Sequence, residues 1–307
     1  MKKFPVLLFV AALFSVPVFA QKIAADGLKT LKVYNDTLGY YSHEMIFNEE
    51  PSTRFHADSV FIRNLVQALK TPYSYYYPFD SIKTVSILYP PDSSFRIFSW
   101  QIQRDESYFR QFGAIQMNTK DGSLSLFPLH DMSDYTSSLT DSVRHADSWV
   151  GAIYYGLIQK NYNGKKYYTL LGFDDNDFMT TRKWIEVLSF NANNIPVFGG
   201  RYFDYQEDSL KPAQPAYRFC LEYKKDGRAR MVYDPELDMI VFDHLISETG
   251  DQQKRFTLIP DGDYEGFKWK DGKWMHVEKV FETQNLKDGQ APVPKPFYDD
   301  SGKPVEQ

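Results

Sequence analysis

The chain has 307 residues, 24% charged and 43% hydrophobic, a balance that excludes a largely disordered polypeptide. Its 35 Lys and Arg against 40 Asp and Glu give a net charge of −5, which sets aside a basic nucleic-acid binder. One cysteine, Cys220, excludes a disulfide framework and any cysteine-based metal cluster.

Residues 1–20 read as a secretory signal peptide. Lys2 and Lys3 precede an uncharged stretch that runs to Val18-Phe19-Ala20, where a small residue suits cleavage before Gln21. Pro5, Ser15 and Pro17 interrupt this stretch, which is short of the roughly 20 residues of a membrane helix. The expectation is an exported protein, periplasmic or extracellular, with no transmembrane segment once the signal is removed.

Residues 21–71 read as helical. Leu28, Leu31, Tyr34, Leu38, Tyr41 and Met45 recur every three or four positions and draw one apolar stripe. Gly39 interrupts that stripe at a cost of about 1 kcal/mol against alanine. A second helix is expected from a cap at Asp58 or Ser59, with Phe61, Ile62, Leu65, Val66 and Leu69 on its buried face. It stops at Thr71-Pro72, because the residue before proline avoids the α region. The polar loop around Asn48-Glu49-Glu50-Pro51 would make the pair a helical hairpin.

Residues 72–285 read as a mainly antiparallel β domain. Thr84 to Leu88, Phe95 to Gln103 and Phe109 to Met117 are short runs rich in β-branched and aromatic residues. Asp121-Gly122, Asn163-Gly164, Asp226-Gly227 and Asp271-Gly272 are hairpin signals, since these pairs accept positive φ at both turn positions. Thr181 to Phe190 fits a helix or a strand by pattern, and strand is the preferred reading. The fold class expected is α+β, with a helical hairpin on a sandwich or partly closed barrel. A propeller-like arrangement is the alternative, because two of the three spacings between turn glycines approach a blade length. Residues 286–307, with Pro292, Pro294 and Pro296, read as an extended tail.

Several segments carry a resemblance. They are Leu69 to Ile82, Phe95 to Trp100, Trp149 to Tyr155, Tyr168 to Asp174, Phe242-Asp243-His244-Leu245 and Pro260 to Tyr264. Together they resemble a group of uncharacterised exported proteins from Bacteroidota. The resemblance implies location and a shared fold, and transfers no activity.

Motifs that carry chemistry are sparse. Asp261-Gly262-Asp263-Tyr264-Glu265-Gly266 matches the first half of a calcium-binding EF-hand loop, with acids at positions 1, 3 and 5. The second half fails, because position 12 is Gly272 and strands replace the helices. Asp261, Asp263 and Glu265 are therefore the candidate calcium ligands, and an acidic turn is the alternative. Asp174-Asp175-Asn176-Asp177 and the trio Asp234, Glu236 and Asp238 are two more acidic loops. The six histidines show no local zinc spacing. Asp243-His244 is the most suggestive pair, although neighbours on a strand point to opposite faces. Cys220 reads as a small buried hydrophobe.

Aromatic residues, at 17%, are the unusual feature. Exposed rings stack on sugars or peptides at little entropic cost. Asp243, His244, Tyr264, Trp269 and Trp274 are thus the candidate binding residues. The expected function is a non-catalytic binding or envelope-interaction module whose partner is an envelope glycan or protein. The alternative is a hydrolase of a periplasmic or extracellular polymer, using carboxylates or histidines from distant strands.

Overall fold

The computed structural model describes residues 23–281. The signal-peptide reading of residues 1–20 and the proline-rich tail at 286–307 lie outside the described residues.

Helix α1 spans Ala25–Phe47 and α2 spans Pro51–Leu69. Leu31, Leu38 and Met45 are fully buried along α1, seven residues apart, as one helical stripe requires. Gly39 has a packing role. A Cβ there would come within 2.9 Å of the Ser81 Cβ, so the glycine lets the 79–82 segment cross close to the helix. One turn before it, Asn35 Nδ2 donates to Asp80 Oδ1 at 2.9 Å and to Ser81 Oγ at 2.7 Å. The expected start of α2 needs correction. The helix begins at Pro51, where a missing N–H costs nothing, so Asp58 and Ser59 are interior and not caps. Asp58 is 3% exposed and accepts the Trp100 indole N–H at 2.8 Å.

Three open sheets follow. The first is an antiparallel meander of β1 (Ser86–Leu88), β2 (Phe95–Asp105), β3 (Tyr108–Met117) and β4 (Leu126–His130). The second holds β5 (Ile153–Tyr162), β6 (Lys165–Asp174), β7 (Thr180–Phe190), β8 (Pro196–Phe198) and β10 (Phe219–Lys224). The third runs β11 (Met231–Asp234), β12 (Met239–Ser247), β13 (Leu258–Lys270), β14 (Lys273–Val277) and β9 (Phe203–Asp204). The β14–β9 pair is parallel and every other pair is antiparallel. The architecture is α+β and sandwich-like, and among the described residues no barrel closes. The first sheet has four strands and the other two have five each in different orders, so among the described residues no propeller blade repeats.

Alternation along the strands assembles the layers. Phe98, Trp100 and Ile102 of β2 face the helices, while Phe95 and Ile97 face the second sheet. In β7, Trp184 and Leu188 face the first sheet, while Ile185 and Val187 face the third. Strands buried on both faces show no apolar–polar alternation, which explains the ambiguous pattern of Thr181 to Phe190.

Three of the four turn signals close hairpins: β3–β4, β5–β6 and β13–β14. Asp226-Gly227 does not. It links β10 of the second sheet to β11 of the third, and there Arg228 takes the positive φ, at 53°. Among the described residues no helix is long and apolar enough to cross a membrane.

Candidate functional site

The residues singled out from the sequence fall mainly on the third sheet, but they do not form one site. Asp243 is 6% exposed, and its Oδ2 accepts the backbone N–H of Arg230 at 2.7 Å. His244 sits at a register shift in β12, where a bulge turns the side chain towards Asp261 Oδ2, 2.8 Å from its Nδ1. Asp243 and His244 thus have separate partners. Tyr264 is half-buried, edge-on to Phe281 with ring centroids 5.5 Å apart. Trp274 is fully buried and its indole N–H donates to Thr169 Oγ1 at 2.9 Å, so it offers no face to a ligand. It shares a sheet face with its cross-strand partner Trp269, and that face packs into the core under the second sheet.

The acids of the half-motif lie inside β13, not in a loop. Each has basic neighbours, and His244 stands between two of them, its Nε2 lying 3.9 Å from Glu265 Oε1. Asp261 takes His244, Asp263 lies 3.7 Å from Lys279, and Glu265 accepts from His276 Nε2 at 2.5 Å and Lys211 Nζ at 3.1 Å. Burial works to raise the Glu265 carboxyl, but His276 and Lys211 outweigh it and hold the group below its ordinary range. Among the described residues no three His, Cys, Asp or Glu side chains are placed to hold a metal ion.

The other acidic loops are engaged in their own turns. Asp174 accepts Gln111 Nε2 and the Asn176 N–H, both at 2.9 Å, and burial pushes its carboxyl up to about 6. Asp175 pairs with Lys225 at 3.0 Å, and Asp177 caps the N–H groups of Met179 and Thr180. Asp234 caps Glu236 and Leu237, while Asp238 pairs with Lys160. Cys220 is half-buried on β10, and desolvation holds its thiol well above the ordinary range, away from the nucleophilic thiolate.

A more spacious cavity lies elsewhere among the described residues. A cleft of about 730 Å³ opens between the β5–β6 turn, the β7–β8 turn and the edge of the first sheet. Its aromatic lining is Tyr167, Tyr168, Phe190 and Tyr202. Its polar lining includes Lys165, Ser189, Asn191 and Asn194.

Local folding explains how each side chain arrives. Asn163-Gly164, with φ of 49° and 72°, turns the chain tightly, so Lys165, Lys166 and Tyr167 emerge at the rim. Asn191 Oδ1 accepts the N–H groups of Asn193 and Ile195, which fixes the second turn and leaves the Asn191 amide N–H₂ free to donate. Tyr167 packs against Tyr202 at 5.4 Å and against Trp269 at 5.7 Å. Trp269, the one sequence candidate beside this cleft, therefore braces its aromatic wall from the third sheet.

The opposite wall is a polar clamp. Asp92 Oδ2 accepts Lys166 Nζ at 2.7 Å and the Tyr168 hydroxyl at 2.8 Å. Burial opposes ionisation of Asp92, yet the bonds from Lys166, Ser94 and Tyr168 hold its carboxyl below the ordinary range. Desolvation first, then the charge of Asp92, pushes the Tyr168 hydroxyl up to about 12, so it stays a donor at neutral pH. Among the described residues Lys165 has no acidic partner. The cleft therefore presents ring faces, amide and hydroxyl groups and one free cation.

Sequence reasoning missed Tyr167, Phe190, Asn191, Asn194 and Tyr202. Their sequence signal was the pair Tyr167-Tyr168 just after a turn, which is indistinguishable from core aromatics until the layers are known. Comparison with protein-family models, curated proteins and solved structures finds no match.

Proposed function

We propose that the chain is a non-catalytic glycan-binding module of the cell envelope, exported as its first twenty residues suggest, like the Bacteroidota proteins it resembles. The observation that carries this reading is the 730 Å³ cleft where Tyr167 and Tyr202 stand beside Asn191, Asn194 and Ser189. A sugar ring has an apolar C–H face and an equatorial belt of hydroxyls. A tyrosine face packs against the first, at little cost in side-chain entropy. Neutral amides and hydroxyls exchange donors and acceptors with the second. Lys165 at the rim favours glycans that bear carboxylates. The wall is held rigid by the Asp92 clamp and by Trp269, so little order must be gained on binding.

The test is a titration of the protein against neutral, N-acetylated and uronate oligosaccharides. Binding of at least one class, weakened about tenfold or more by Tyr167→Ala or Tyr202→Ala with the fold retained, supports the reading. No saturable binding, or binding that both substitutions leave unchanged, contradicts it.

A further inference from the structure

A second cavity, of about 280 Å³, lies between α2 and the first sheet, on the far side of that sheet from the second. Its walls are nearly all apolar. Ile62, Val66 and Leu69 close it from the helix, and Trp100, Phe112 and Leu126 from the strands. The Trp100 and Phe112 rings are nearly parallel, 10° apart in plane and 5.8 Å between centroids, so they form a flat wall. Trp100 cannot swing to fill the space, because Asp58 holds its indole N–H. Water lacks partners in such a cavity.

The mouth is different in kind. His130 lines it and pairs in register with Phe112 across β3 and β4. The Arg110 guanidinium stands 5.6 Å from the Phe112 ring centroid on the same face of β3. Both side chains are exposed. Among the described residues, no acid lies within ion-pair distance of either. Asp58, the acid whose charge Arg110 reaches, is buried behind Trp100 and already bonded to it. The site thus combines a dry apolar slot with an exposed guanidinium and an exposed imidazole at its entrance.

We propose that this pocket binds a medium-length aliphatic carboxylate, the alkyl chain between α2 and the first sheet and the carboxylate at Arg110 and His130. At about 30 Å³ per heavy atom, a volume near that of water in the liquid, the cavity holds roughly nine non-hydrogen atoms. That suits a chain of about eight carbons whose head projects to the mouth. The site is separate from the tyrosine cleft, and neither proposal needs the other.

The experiment is a calorimetric titration of the full chain with octanoate, octanol and acetate, and with vesicles of phosphatidylglycerol. Saturable octanoate binding is expected, with octanol weaker and acetate undetectable. Arg110→Gln, at an exposed position, should weaken octanoate about tenfold and leave octanol unchanged. Val66→Phe, which fills the slot, should abolish both while leaving the melting temperature equal or higher. Absence of octanoate binding overturns the proposal, as does wild-type octanoate affinity in Arg110→Gln. Vesicle binding without octanoate binding also overturns it, by moving the assignment from a pocket to a lipid surface.

Discussion

The Trp100 indole nitrogen donates to Asp58 Oδ1 across 2.8 Å, a bond that ties the middle of α2 to the centre of the first sheet. Burial pushes the Asp58 carboxyl up to about 6, with the Trp100 bond and the Arg110 charge opposing. A carboxyl raised in the folded state makes its contribution at low pH. Folding therefore loses stability from this group as pH rises from about 4 through about 6. Asp58→Asn keeps an acceptor for Trp100 and removes the buried charge. It should stabilise the protein by about 1–3 kcal/mol at pH 7 and by almost nothing at pH 4. Urea unfolding of both proteins at the two pH values checks this.

Glu186 is the hub of a buried chain. Its Oε1 accepts Arg218 Nε at 2.7 Å, its Oε2 accepts the Tyr154 hydroxyl at 2.7 Å, and that hydroxyl accepts the Trp149 N–H at 2.7 Å. Arg218 and Glu186 are at most 2% exposed. Glu186→Gln leaves the guanidinium buried without its counter-ion and should cost about 3–5 kcal/mol in chemical unfolding.

Glu265 behaves in the opposite sense to Asp58. Its carboxyl is held down in the folded state, so its stabilisation is present above its ordinary titration range and lost as pH falls through that range and below. Glu265→Gln should cost about 1.5–3 kcal/mol at pH 7, shrinking in acid, as for a charge-assisted hydrogen bond. Because Asp261, Asp263 and Glu265 are engaged by His244, Lys279, His276 and Lys211, and among the described residues no three such side chains are placed to hold a metal ion, about 1 mM calcium, the range of weak extracellular sites, should leave the melting temperature unchanged. A melt with and without chelator reads that directly.

The architecture was largely legible because helical stripes and turn pairs are local signals. Leu31, Leu38 and Met45 lie where their spacing places them, and three turn pairs close the hairpins they announce. The start of α2 was misplaced, because Asp58 resembles a cap by residue type while Pro51 starts the helix. The candidate site was mostly hidden. Trp269 and Trp274 share a hairpin and a sheet face, yet one braces the cleft and the other is sealed in the core. That distinction depends on which sheet covers which, and nothing local in the sequence encodes it. Tyr167 and Tyr202 lie 35 residues apart and meet because β9 pairs with β14 and brings Tyr202 beside β6.

The most direct test of the glycan-binding account is an amide chemical-shift titration of the isotopically labelled protein with the tightest-binding oligosaccharide. The account predicts shifts concentrated at residues 164–168, 189–197 and 202, including the Asn191 and Asn194 side-chain amides. Shifts centred on another surface, or none at saturating ligand, would contradict it.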